Sequence, residues 1–155
     1  MTPAINLAKK HKIAHSVHQY EHDDSAPSYG LEAAQKMAVA PQRIFKTLVV
    51  SLDDASLAVA IIPVETMLSL KAVAKALGAK KAQMADKNAV QRSTGYVLGG
   101  VSPLGQKKRL KTLLDQTAGE FESIFVSAGK RGLEIELSPA DLLKLTQGEN
   151  AQLCQ

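Results

Sequence analysis

RIFKTLVVSLDDASLAVAIIP, residues 43–63, reads as two strands folded back on each other. Apolar and β-branched residues fill 43–52 and 56–63, and Asp53-Asp54 interrupts them as a turn. Within IFKTLVV both strand faces are apolar except at Lys46 and Thr47. That pattern predicts a largely buried strand carrying one cation. Lys46 then has two readings. It is an edge lysine whose stem lies along the sheet while its ammonium reaches water, or a rigidly mounted cation in a cleft, placed to meet phosphate or developing negative charge.

Working outward, ESIFVS (122–127) and LEIELS (133–138) form a second hairpin across the turn AGKRG. Residues 15–21 alternate as a further strand. Helices are marked by their caps. Thr2-Pro3 starts one that runs to about Lys12, and Ser28 caps one through Met37 that ends before Pro41. Ser69 opens one that closes at Gly78, and Asp86 opens one that closes at Gly95. Ser138-Pro139-Ala140-Asp141 launches the last. Strands in hairpins with helices scattered between them predict an α+β fold on a mixed, mostly antiparallel, barrel-like sheet. The chain carries no G-x-G-x-x-G, P-loop, G-x-S-x-G or H-E-x-x-H pattern, so nucleotide-cofactor and protein-nucleophile chemistries have no sequence support.

The chain of 155 residues has 45% hydrophobic and 22% charged residues, the profile of one globular domain spanning 1–155. No apolar run is long enough to span a bilayer, and MTPAINLAKKHK lacks the apolar stretch of a signal peptide. The expectation is a cytoplasmic protein with no membrane partner. The single cysteine, Cys154, reads as a frayed terminal residue and a poor nucleophile. A net charge of +4 is mild but unevenly spread, gathering at Lys9, Lys10 and Lys12, at Lys80 and Lys81, and at Lys107, Lys108, Arg109 and Lys111. These clusters are a solvated face or a contact for a polyanion such as RNA. With 4% aromatics and no tryptophan, such a contact would be to backbone rather than to stacked bases.

STGYVLGGVSPLGQKKR, residues 93–109, and SAGKRG, residues 127–132, are both rich in glycine and small hydroxyl residues. Each is a tight turn, or a backbone-lined wall that a ligand can approach closely. Two such loops in one small chain favour the second reading. His11, His15, His18 and His22 fall close together, but alternation splits them between strand faces and no cysteine lies near. They are read as solvated or strand-edge residues rather than a metal site. No pair of acids stands out for acid–base work.

Taken together, MTPAI at the start, FKTL around Lys46, STGY-x-x-GG-x-SPLGQKKR and VS-x-GKRG at 126–132 resemble the YbaK family of Cys-tRNA(Pro) deacylases, relatives of the editing domain of bacterial prolyl-tRNA synthetase. The blocks keep the family order and span nearly the whole chain. The resemblance implies a compact α+β domain that hydrolyses cysteine wrongly attached to tRNA(Pro), without metal or organic cofactor, in transient partnership with prolyl-tRNA synthetase. Carried over by position, Lys46 is the essential lysine. Tyr20, Tyr29, Thr47, Gly99, Gly100, Ser127 and Gly129 fall where the family forms its pocket.

The family pattern has phenylalanine at the position of Tyr29, which puts side-chain preference in question, and the turn at Asp53-Asp54 is short. The implied chemistry explains the missing nucleophile: the substrate thiol attacks its own ester while the enzyme positions it and stabilises charge. The alternatives are a deacylase for another mischarged tRNA, such as Ala-tRNA(Pro), and a non-catalytic RNA-binding module.

Overall fold

A computed structural model describes residues 1–23 and 29–155, Tyr29 by its backbone alone. The chain runs α1 (Pro3–Lys10), β1 (His15–Gln19), α2 (Tyr29–Met37), β2 (Phe45–Leu52), β3 (Leu57–Pro63), α3 (Leu70–Leu77), β4 (Ala82–Met84), α4 (Lys87–Thr94), β5 (Lys111–Asp115), β6 (Ile124–Lys130), β7 (Leu133–Leu137), α5 (Pro139–Thr146) and β8 (Glu149–Ala151). The caps act as their chemistry requires. Thr2, Ser69, Asp86 and Ser138 accept from the amides of Ile5, Ala72, Ala89 and Asp141, each contributing about 1 kcal/mol. The cap expected at Ser28 lies outside the described residues.

Two sheets result, an α+β arrangement. The first has the order β1-β7-β6, all antiparallel, and the second β4-β2-β3-β5-β8. In the second, β2 pairs antiparallel with β3 and β4, while β5 runs parallel to both β3 and β8. The sheets do not close into a barrel but meet at a parallel bridge between Ile44 and Phe125. Arg43 locks this seam. Its guanidinium donates to the Ser123 hydroxyl at 2.6 Å and to Glu136 Oε2 at 3.1 Å, and lies 5.0 Å from the centre of the Phe125 ring.

Alternation along the strands decides what lies between the sheets. Phe45, Val59, Ile61, Ile124, Val126, Ile135 and Leu137 turn inward and meet Ala4 and Ile5 of α1 and Leu142 of α5. On the other face of the second sheet, Val50, Ala58, Ala60 and Ile62 pack against Val73 of α3 and against Leu153. Each large apolar side chain so buried contributes roughly 1.5–3 kcal/mol.

The structure corrects two readings. The segment 127–132 is not a free loop: β6 continues to Lys130 across a bulge, and only Arg131 and Gly132 turn. The chain end is not frayed either. Leu153 is buried, its amide donates to Asp115 Oδ1 at 2.9 Å, and Cys154 bridges to Leu68. Among the described residues no helix is long and apolar enough to cross a membrane.

Candidate active site

The seam between the sheets builds the site. Ile44 and Phe125 pair in parallel. Two residues further along each strand, on the same face by alternation, come Lys46 and Ser127. Across the next ladder Ser127 stands opposite Glu134, and Glu134 opposite His18. Tyr20, just beyond β1, packs with Ile44, Phe125 and Val64 under Ala33 and Ala34 of α2. One surface, bordered by α2, therefore carries Lys46, Ser127, Glu134 and Tyr20. The backbone of Tyr29 begins α2.

Lys46 is half-buried and has no hydrogen-bond or salt-bridge partner among the described residues. Burial lowers its pKa, and only the charge of the nearby Cys154 opposes that shift. This proximity was invisible in sequence, where the two lie at opposite ends of the chain. Cys154 Sγ donates to Thr66 Oγ1 at 3.3 Å, and burial leads in raising its pKa.

Thr47 does not join Lys46. The alternation that turns Lys46 outward turns Thr47 inward, on the face of Phe45 and Val49. There its hydroxyl is buried without a hydrogen-bond partner. Neighbouring letters in FKTL thus serve opposite sides of one strand.

Two glutamates on β7 were missed because strand alternation alone makes them look like a solvated face. Glu134 and Glu136 lie two residues apart and share a face, yet their surroundings differ. Burial alone would raise Glu136, but Ser123 at 2.5 Å, His18 at 2.9 Å and Arg43 at 3.1 Å hold its pKa below the ordinary value. Glu134 is 7% exposed and its carboxyl makes no hydrogen bond among the described residues. Burial pushes its pKa up to about 8. Burial, then the charges of Glu134 and Glu32, push Tyr20 up to about 12, so its phenol stays a donor. Environments that separate two carboxyl pKa values in this way are a recurrent mark of functional sites.

His15 and His22 have separate duties. His15 Nδ1 lies 2.7 Å from the Ile13 carbonyl, and His22 pairs at 3.5 Å with Glu32, which Arg131 also meets at 3.4 Å. Among the described residues no three potential metal ligands converge.

The glycine-rich stretch packs on the end of β6 and the turn that follows it, Gly100 against Lys130 and Arg131 and Tyr96 against Gly129. Val97–Gly100 is a turn closed by Gly100 N–H donating to Val97 O at 3.0 Å, with Gly99 at φ +94°, a geometry that suits glycine. Gly100 is also required for packing, since a Cβ there would lie 2.7 Å from Lys130 Cα and 3.2 Å from Arg131 N. Because both are backbone atoms, Gly100→Ala is expected to destabilise by about 1–3 kcal/mol in urea unfolding; an unchanged midpoint would mean that the turn does not rest on the hairpin.

Of the three candidate glycine amides, two are already engaged, Gly100 with Val97 and Gly129 with the Ser127 hydroxyl at 3.1 Å. The Gly99 amide takes no partner among the described residues. Ser127 accepts that bond, which leaves its O–H to donate outward.

The aminoacyl-tRNA editing domain family matches residues 26–145. A protein of Enterococcus faecalis named "Putative Cys-tRNA(Pro)/Cys-tRNA(Cys) deacylase EbsC" is 39% identical over 153 residues, 98% of this chain and 92% of that protein. "Uncharacterized protein YwhH" of Bacillus subtilis is 29% identical over 111 residues, 72% of this chain and 70% of its own. A solved structure described as "a putative trans-editing enzyme for prolyl tRNA synthetase" superposes with a TM-score of 0.84 at 22% identity, covering 99% of this chain and 92% of that one; at this identity it supports the fold alone. The chain belongs to the aminoacyl-tRNA editing domain family.

Proposed function

We propose that this editing-domain chain, acting as a single domain over 1–155, removes cysteine from mischarged Cys-tRNA(Pro). The observation that carries the reading is Lys46, a half-buried ammonium without a partner on a rigid strand, sharing a surface with Ser127 and Tyr20. A cation left uncompensated there suits an anionic ligand, and the terminal adenosine of tRNA brings phosphate. Tyr20, Ser127 and the Gly99 amide supply neutral donors for the ester carbonyl as it gains negative charge. None of these hydroxyls is hydrogen-bonded to a base among the described residues.

The substrate supplies the nucleophile. Its thiol sulfur forms a bond to the ester carbonyl carbon, the bond to the ribose oxygen breaks, and that oxygen takes up the proton the thiol released. The products are free tRNA and a four-membered thiolactone, which water opens to cysteine. The protein's contribution is orientation and electrostatics. Selection of tRNA(Pro) falls to prolyl-tRNA synthetase as a transient partner, because the described site offers nothing that reads bases.

The test compares Cys-tRNA(Pro) with Ala-tRNA(Pro), with and without prolyl-tRNA synthetase. The cysteinyl ester is expected to disappear while the alanyl ester, lacking a thiol, decays at the rate without enzyme. Rapid loss of the alanyl ester would replace the thiol by water as nucleophile. Survival of both esters in the presence of the synthetase would overturn the editing reading.

A further inference from the structure

A groove of about 500 Å³ lies on a part of the molecule that shares no lining residue with the Lys46 surface. Its basic side chains come from three separate places: the His11 imidazole at the end of α1, Lys107, Lys108 and Arg109 in the segment before β5, and Lys144 in the last turn of α5. None of the five makes a salt bridge among the described residues, whereas Arg43 and Arg131 are both paired with glutamates. No Asp or Glu lines the groove, and no Phe, Tyr or Trp does either.

The basic segment is not a loose tail. The amides of Lys107 and Lys108 donate to Thr94 O at 3.1 Å and Ser93 O at 3.0 Å. The Lys107 stem runs beside Gly95, where an added Cβ would lie 3.2 Å from Lys107 Cγ. The groove is therefore mounted on the stretch that leads, through Tyr96, to the turn at Gly99-Gly100. Further along that stretch, the Tyr96 hydroxyl donates to Leu104 O at 2.6 Å and Gln106 Nε2 to Ser102 O at 2.9 Å.

We infer that this groove docks the phosphate backbone of the tRNA substrate while its aminoacyl end lies at the Lys46 surface. The inference rests on the editing reading above. Four unpaired cations from two parts of the chain, with the His11 imidazole beside them and no acids, suit closely spaced phosphates. With no Phe, Tyr or Trp to stack bases, recognition is chiefly by charge and shape and largely indifferent to sequence. A protein partner is the less favoured occupant, because the groove lacks the aromatic anchors that dominate such interfaces.

The probe is an uncharged RNA hairpin with a single-stranded 3′ end, titrated by fluorescence anisotropy between about 50 and 200 mM salt. In the variant Lys107→Ala/Lys108→Ala/Arg109→Ala, the slope of log affinity against log salt is expected to fall by about 3, one per cation removed. Affinity at low salt should drop by about 10- to 100-fold, and kcat/KM for the cysteinyl ester should fall through KM. Lys80→Ala/Lys81→Ala, which removes a basic pair outside the groove, should leave binding unchanged. Both variants alter exposed residues, so thermal unfolding should match wild type.

Equal effects of the two variants, or an unaltered salt slope in the triple variant, would overturn the inference. So would a loss seen only when prolyl-tRNA synthetase is added, which would assign the groove to a protein. Should wild type bind the hairpin with the expected slope yet spare the cysteinyl ester, the editing reading fails and the groove stands. Should wild type deacylate normally while the triple variant keeps its KM, the groove alone fails.

Discussion

Lys46→Ala is expected to lower kcat/KM on Cys-tRNA(Pro) by about 10²–10³, the size typical of losing one preorganised charge-stabilising group, without loss of thermal stability. The two halves of that expectation have one cause. An ammonium that is half-buried without a partner is disfavoured by folding, as the lowered pKa of Lys46 records. The sign follows from linkage: the penalty is full while the folded protein keeps the proton, and it is relieved as pH rises from the lowered pKa toward the ordinary 10.5. Truncation removes the penalty together with the function.

A structural lysine would behave in the opposite way, its loss lowering the melting temperature and affecting activity only in proportion. Lys46→Arg keeps the charge but replaces a compact ammonium by a planar fork, so it should recover only part of the activity. Full activity in Lys46→Ala would move the site away from β2. A fall in stability of more than about 1 kcal/mol would make Lys46 part of the scaffold.

What could be read from the sequence and what could not divide along physical lines. The β2–β3 hairpin was legible because its period-2 pattern and its turn are local, and the helices because their caps are local. Three short strands, β4, β5 and β8, were not. Three to five residues carry too little pattern, and each strand exists through a partner distant in sequence.

The site was legible as a set of residue types but not as a geometry. Nothing local states that Ile44 meets Phe125, and from that bridge follows the common surface of Lys46 and Ser127. The division of Lys46 from Thr47 follows from alternation once β2 is known to have both faces covered. The glycines read as ligand-facing include one, Gly100, whose missing side chain is required by the backbone of the neighbouring hairpin. Composition cannot tell backbone packed on backbone from backbone open to substrate. Glu134 was missed for a related reason: a glutamate in an alternating strand looks solvated until the folded structure shows it buried.

Glu134 carries the other large expectation. Burial raises its carboxyl from 4.5 to about 8. Between those two values the unfolded chain releases a proton that the folded chain retains. Stability must therefore fall as pH rises through that window, by at most about 1.4 kcal/mol per pH unit. Glu134→Gln keeps the shape and removes the titration. Its melting temperature should match wild type near pH 5 and exceed it at pH 8, at roughly 3 °C per kcal/mol for a chain of this length.

The same substitution reads the chemistry. If the protonated carboxyl is the working form, it donates to the substrate beside the Tyr20 phenol, and the amide can replace it. The substrate thiol ionises over the same range, so the ratio of wild-type to Glu134→Gln activity is the quantity to follow, since the substrate cancels from it. That ratio should be near one at pH 6 and decline above about pH 8, as wild type loses its proton and the variant does not. A variant that folds with raised stability but is inactive at every pH would show that the site needs the carboxylate. Glu134 would then be the proton acceptor for the attacking thiol rather than a neutral donor to the ester.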